Sequence, residues 1–121
     1  MTTPATFSVT ASKGVSVVHL PDELLSPLDV ARFREEWFVW LDESQPGNVV
    51  VDFDLVRAFG SEAVGTLIRV VKRIRSAGGD LKLCSMGDRI REIFDICNLV
   101  PTVFEVYPSA GDAVRAFHAR H

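Results

Sequence analysis

The stretch Asn48-Val-Val-Val-Asp-Phe-Asp-Leu-Val-Arg-Ala-Phe-Gly-Ser-Glu-Ala-Val-Gly-Thr-Leu-Ile68 constrains the fold more than any other part of the chain. A near-continuous apolar run, Val49 to Val51 and then Phe53, Leu55 and Val56, fits a strand covered on both faces, as in a sheet with helices packed against it. The chain then changes period. From Ser61 onward Val64, Leu67, Ile68, Val71 and Ile74 recur at helical spacing, which places Ser61 at the N-terminal end of a helix that leaves the sheet. Such a position exposes free backbone N–H groups and the positive end of the helix dipole, so it is a natural place to hold a phosphate.

The same change of period recurs along the chain. Thr6 to Thr10 and Val15 to Leu20 read as two strands joined across Ser12-Lys13-Gly14. Ser26-Pro27-Leu28-Asp29 supplies an N-cap serine, a proline at the first helical position and an acid in the first turn, and Val30, Phe33, Trp37, Trp40 and Leu41 form an apolar stripe that ends at Gln45-Pro46-Gly47. Ala77-Gly78-Gly79 stops the helix from Ser61, and Asp80 to Cys84 alternates like a strand. Ser85-Met-Gly-Asp88 repeats the capping pattern before a shorter helix with Ile90, Ile93, Phe94 and Cys97 facing inward, broken at Asn98 and Pro101. Val103 to Val106 reads as a last strand, and Pro108 to Asp112 caps a helix that docks Ala113, Val114 and Phe117 on the sheet. The order ββαβαβαβα implies an α/β fold: a mixed, largely parallel sheet of about five strands with four helices. Residues 1–121 read as one domain with a short flexible N-terminus over residues 1–5.

Composition excludes several function classes. A formal charge of −3 disfavours broad attraction to nucleic acid or to an anionic membrane. No run reaches the roughly 18 apolar residues of a membrane span, and the N-terminus lacks the basic and apolar regions of a signal peptide, so a cytoplasmic chain without membrane insertion is expected. Cys84 and Cys97 have no metal-ligand spacing around them and read as two buried free thiols. No nucleotide-binding glycine motif, metalloprotease motif or nucleophile elbow is present, so neither a cofactor nor catalysis is expected. His19 lies in a strand, and His118 and His121 lie at the C-terminal end of the last helix, where they suit the dipole.

From Val49 to Phe117 the chain resembles the STAS domain, the fold of anti-sigma factor antagonists and of the cytoplasmic tails of sulfate transporters. The resemblance rests on the strand at residues 49 to 54, the turn Phe59-Gly-Ser-Glu-Ala-Val-Gly65, the Ala77-Gly-Gly-Asp-Leu-Lys-Leu strand entry, Arg91-Glu-Ile-Phe followed by Asn98-Leu99, and the Tyr107-Pro-Ser-Ala-Gly-Asp-Ala113 helix start. In the antagonist branch the turn commonly reads Asp-Ser-Ser-Gly-Leu-Gly, and its first serine is phosphorylated by a partner that is both anti-sigma factor and kinase. Carried over by position, that serine is Ser61 and the later glycine is Gly65. Gly60 stands where the branch has aspartate, Glu62 where it has the second serine, and Ala63 where it has the first glycine. The resemblance implies an anti-sigma factor antagonist that binds an anti-sigma factor with serine-kinase activity, with Ser61 as phosphoacceptor. A serine phosphatase and a second copy of the chain, in a weak homodimer, are carried as further partners. The alternative is an interaction subunit that is not phosphorylated and docks on another protein, such as an ABC transporter ATPase.

Each residue singled out has a structural reading beside the functional one. Ser61 is either the switch or a plain N-cap, and a capping serine contributes about 1 kcal/mol. Gly60 and Gly65 read as conformational, permitting the tight turn and close helix-to-sheet packing. Glu62, Thr66, Arg69 and Arg73 fall on one outward helix face by spacing and, with Lys72, form either a solvated surface or, together with Gly60 and Ser61, a docking face. Trp37 and Trp40 read as core, with Phe38 pointing elsewhere on its helix.

Overall fold

The computed structural model describes residues 4–119. Met1 to Thr3, Arg120 and His121 lie outside the described residues. Five strands form one sheet in the order β1-β2-β4-β6-β7: β1 (Ser8–Ser12), β2 (Val15–His19), β4 (Asn48–Asp52), β6 (Asp80–Cys84) and β7 (Val106–Tyr107). Among the described residues only the β1–β2 pair of this sheet is antiparallel. Its hairpin closes on Lys13 and Gly14, at φ 50 and 80, the left-handed pair that a two-residue turn between right-twisted strands requires. Two short segments, β3 (Glu23–Leu24) and β5 (Ala58–Phe59), make a separate parallel pair that the sequence pattern does not announce.

Four helices cover the sheet: α1 (Pro27–Ser44), α2 (Ser61–Ser76), α3 (Asp88–Ile96) and α4 (Ala110–His118). Alternation along the strands sorts the core into two layers. Val18, Val49, Val51, Leu81 and Leu83 face α1, α2 and α3, whereas Val15, Val17, Val50 and Cys84 face Ala113 and Val114 of α4, with Phe117 half-buried beside them. Trp37 and Trp40 are core residues, at 0% and 6% exposure.

Local chemistry sets the boundaries. The Ser26 hydroxyl accepts from the Asp29 amide at 3.3 Å, and the Ser109 hydroxyl accepts from the Asp112 amide at 3.1 Å, so both predicted caps form. Strand β1 begins later than the expected Thr6, because the Ala5 and Thr6 amides and the Thr6 hydroxyl all donate to one Glu36 carboxylate oxygen at 2.7–2.9 Å. The strand expected over Val103 to Val106 shrinks to Val106–Tyr107, since the Val103 and Phe104 amides still turn back to the Leu99 carbonyl. Leu55 does not continue the central strand: the Val56 amide turns back to the Phe53 carbonyl, and Leu55 is 63% exposed. Ser85 is not a cap. The N-cap of α3 is Gly87, which has no side chain to offer, while Ser85 takes φ 62 and its amide donates to the Tyr107 carbonyl at 3.1 Å. Cys97 sits past the end of α3 and is exposed, so only Cys84 is a buried thiol.

Two tests follow from this packing. A β-carbon on Gly79 would stand 1.8 Å from the Gly47 carbonyl oxygen, a backbone atom that cannot swing aside. Gly79→Ala should therefore destabilise the domain by roughly 1–3 kcal/mol, read as a lowered urea midpoint. Burial works against the charged form of Glu36, but the hydrogen bonds from Thr6 and Ala5 outweigh it and hold its carboxyl below the ordinary 4.5. A group depressed in the folded state contributes stability that is present above its unfolded value and is lost as pH falls through the folded one. The urea midpoint should thus drop on acidification below about pH 4.5, and Glu36→Gln should remove that part of the dependence.

Candidate functional site

Phe59 brings the chain to the surface. Its ring is packed among Phe33 of α1 at 6.5 Å, Phe53 at 5.2 Å and Phe94 of α3 at 6.3 Å, and is itself 4% exposed. The next residue, Gly60, donates its amide to the Leu24 carbonyl at 3.2 Å and is the N-cap of α2. Ser61 is then the first helical residue rather than the cap. No side chain caps this helix, and the first amide to turn inward is that of Val64, which donates to the Gly60 carbonyl at 3.1 Å. The amides of Ser61, Glu62 and Ala63 precede the first intrahelical bond and lie at the positive end of the dipole. The Ser61 side chain is exposed and has no hydrogen-bond partner among the described residues.

Neither glycine of the turn is needed for the reason its sequence suggests. Gly60 has φ −85, which any residue adopts, and an added β-carbon there would make only ordinary contacts with Leu24 and Leu25 at 3.5–3.6 Å. A β-carbon on Gly65 would meet nothing within 4 Å, so close packing of α2 on the sheet does not require it.

Two grooves flank the exposed ridge of α2. Toward α3 lies an apolar one of about 320 Å³, where Ser61, Val64, Gly65 and Ile68 face Ile93, Cys97 and Leu99. Two further apolar side chains are exposed near its ends: Ile96, next to Cys97 in the chain, at 73%, and Leu25, beside Gly60, at 57%. Toward α1 lies a groove of about 410 Å³ that includes Glu62, Thr66 and Arg69 and, from α1, Arg34.

The structure therefore divides the residues that helical spacing groups together. Gly60, Ser61 and Glu62 share the start of α2, and Arg69 is exposed two turns on. Thr66 does not point outward. It is 2% exposed and donates its hydroxyl to the Glu62 carbonyl at 3.2 Å, because α2 packs on α1 as well as on the sheet and its buried arc widens to take in Ala63, Thr66 and Val70. Arg73 lies deeper along the helix, ion-paired with Asp42 and 6.0 Å over the half-buried Phe38 ring, so its charge is already satisfied within the chain. Sequence reasoning missed the contributions of Leu25, Arg34 and α3. The available signal was Ile96, an isoleucine out of phase with the buried Ile90 and Phe94.

Behind the turn, the strand ends are tied by a polar row on the α4 face. Thr10 contacts His19 at 2.9 Å, His19 contacts Asp52 at 3.1 Å, and Asp52 accepts from the Asp54 amide at 3.0 Å. Cys84 lies 3.8 Å from Asp52, and burial, with the Asp52 carboxylate adding to it, pushes its thiol up to about 12, which leaves it protonated and unreactive. His118 lies 2.8 Å from the Lys13 carbonyl and pins the end of α4 to the β1–β2 turn.

Residues 6–113 match the family model for the STAS domain. No curated protein matches the sequence. Among solved structures, the anti-sigma-factor antagonist (STAS) domain protein of Planctomyces limnophilus is 25% identical, covering 95% of this chain and 100% of its own, with a TM-score of 0.82. An anti-sigma factor antagonist from Mycobacterium paratuberculosis is 23% identical over 94% of each chain, with a TM-score of 0.81. The Bacillus cell fate determinant SpoIIAA in its phosphorylated form is 15% identical over 93% of this chain and 99% of its own, at 0.70.

Because the Ser61 hydroxyl accepts no capping bond, Ser61→Ala should change the free energy of unfolding by less than about 0.5 kcal/mol in a urea titration. This replaces the loss of about 1 kcal/mol that a capping serine would give.

Proposed function

We propose that this chain, which belongs to the STAS domain family, acts as an anti-sigma factor antagonist whose Ser61 is phosphorylated by the serine-kinase activity of the anti-sigma factor it binds. The observation that carries this reading is the Ser61 side chain, exposed and without a hydrogen-bond partner among the described residues at the start of α2. A serine that served the fold would be capping the helix. This one is held at the surface by its neighbours and is available to a kinase.

In the unmodified state the apolar groove beside Ser61, continued by Leu25 and Ile96, is buried against the partner and supplies the docking energy through the hydrophobic effect. A phosphate of about −1.5 to −2 on Ser61 changes that balance. The free amides of the first turn attract it, but it stands beside Glu62 and would have to be desolvated within an apolar contact. Binding is lost through repulsion and desolvation, with no rearrangement of the fold, and a serine phosphatase would restore it. The activity is binding rather than catalysis, in the cytoplasm, with no direct role for nucleic acid.

The second reading is a docking subunit that is never phosphorylated, for instance on an ABC transporter ATPase. Glu62 favours it, since its carboxylate already places a negative charge beside Ser61.

Incubation with the cognate kinase and ATP should add one phosphate, read by intact-protein mass spectrometry, and Ser61→Ala should abolish it. Labelling that persists in the variant would move the site, and no labelling by any kinase of the native host would leave the docking subunit as the function.

A further inference from the structure

We propose that the groove between α1 and α2 seats an acidic segment of a protein partner, with a carboxylate of that segment held between Arg34 and Arg69. The inference rests on reading the chain as a docking protein and names the chemistry of what docks beside the Ser61 surface.

Charge pairing makes the case. Arg57, Arg73, Arg75, Arg91 and Arg115 each face an aspartate: Asp22, Asp42, Asp80, Asp95 and Asp112 in turn. Lys13, Arg32, Arg34, Arg69, Lys72 and Arg89 have no ion pair among the described residues, and of these Arg34 and Arg69 come from two different helices to line one groove of about 410 Å³. Each guanidinium presents a planar fork of N–H donors that matches a carboxylate, and two of them line this groove.

The ends of the groove give it a direction. Glu62 lines it at the start of α2 and repels an acid there. Farther along α2, beyond Arg69, Arg73 lies over Phe38 and pairs with Asp42, joining the two helices. The acid is thereby directed to the level of Arg34 and Arg69. Val30, Ala31 and Gly65 offer small or apolar surface in the same groove. Gly65 is unexplained by packing within the chain, because a β-carbon there would meet nothing within 4 Å. A partner backbone laid against α2 would use that space.

The test is an amide chemical-shift titration of the full, unphosphorylated chain with two synthetic peptides, acetyl-Ala-Glu-Leu-Glu-Ala-amide and its glutamine counterpart. The acidic peptide should bind with a dissociation constant on the order of 0.1–1 mM and shift the amides of Ala31, Gly65 and Thr66, and the glutamine peptide should bind about tenfold more weakly. Arg34→Gln and Arg69→Gln should each weaken the acidic peptide about tenfold, whereas Arg89→Gln, a surface arginine outside the groove, should not. Equal binding of the two peptides, shifts centred on Ile93 and Cys97, or no binding at about 5 mM peptide would overturn the proposal. Displacement by an equal concentration of inorganic phosphate would also overturn it, by making the groove a free-anion site. So would concentration-dependent shifts of the same amides without peptide, which would give the groove to a second copy of the chain. Repeating the titration with Ser61→Ala separates this result from the phosphorylation reading: peptide binding should be unchanged there, and a chain that is phosphorylated on Ser61 but fails to bind the peptide loses only the groove.

Discussion

The position of Ser61 depends on the ring of Phe59. Three elements that meet nowhere in sequence, α1 through Phe33, the end of β4 through Phe53 and α3 through Phe94, converge on that one side chain, mostly edge to face. Phe94 passes the packing on to Phe104 at 5.7 Å. Edge-to-face pairs add a directional component to area burial, so the cluster fixes where the chain leaves the core as well as favouring burial. With Phe59 anchored and the Gly60 amide bonded to Leu24, the next residue has nowhere to go but the surface. A serine that contributes little to the fold is thus presented in one place.

The two faces of the sheet do different work. The α4 face is closed by a small apolar layer and a polar row in which His19 and Asp52 satisfy each other, while Cys84 is kept as an inert thiol by burial. That row joins β1, β2 and β4 at the ends from which the connections to α1 and α2 spring, so it steadies the opposite face without being part of it. The α1–α2–α3 face carries the aromatic core, and above it lie the exposed Leu25 and Ile96.

Charge along α2 follows the helix dipole. Glu62 stands in the first turn, Arg73 and Arg75 in the last, and both arginines are used internally, by Asp42 of α1 and by Asp80 with the Val103 carbonyl. Among the described residues Arg69 and Lys72 are the cations of this helix without an ion pair. Exposed ion pairs of this kind contribute little stability each, but they settle which charges remain unpaired.

Much of this was legible in the sequence because its cause is local. The helical period from Ser61, the alternation of Asp80 to Cys84, the Ser26 and Ser109 caps and the stripe of Val30, Phe33, Trp37, Trp40 and Leu41 are consequences of spacing, and the STAS resemblance rested on the motifs between Val49 and Phe117. What spacing could not decide was which neighbour each helix face would meet. Thr66 looked outward until α1 supplied a second surface for α2 to pack on. Arg73 looked available until Asp42 and Phe38 came beside it, and Cys97 looked buried until α3 ended at Ile96. Ser61 looked like a cap, yet Gly60 takes that position because its amide is bound to Leu24, a contact between segments far apart in the chain. Sequence by itself determined the elements and the serine at a helix start. Tertiary structure decided which side chains around it are taken up by the fold and which stay exposed and unpaired, since that depends on packing between elements whose separation in sequence carries no periodic signal.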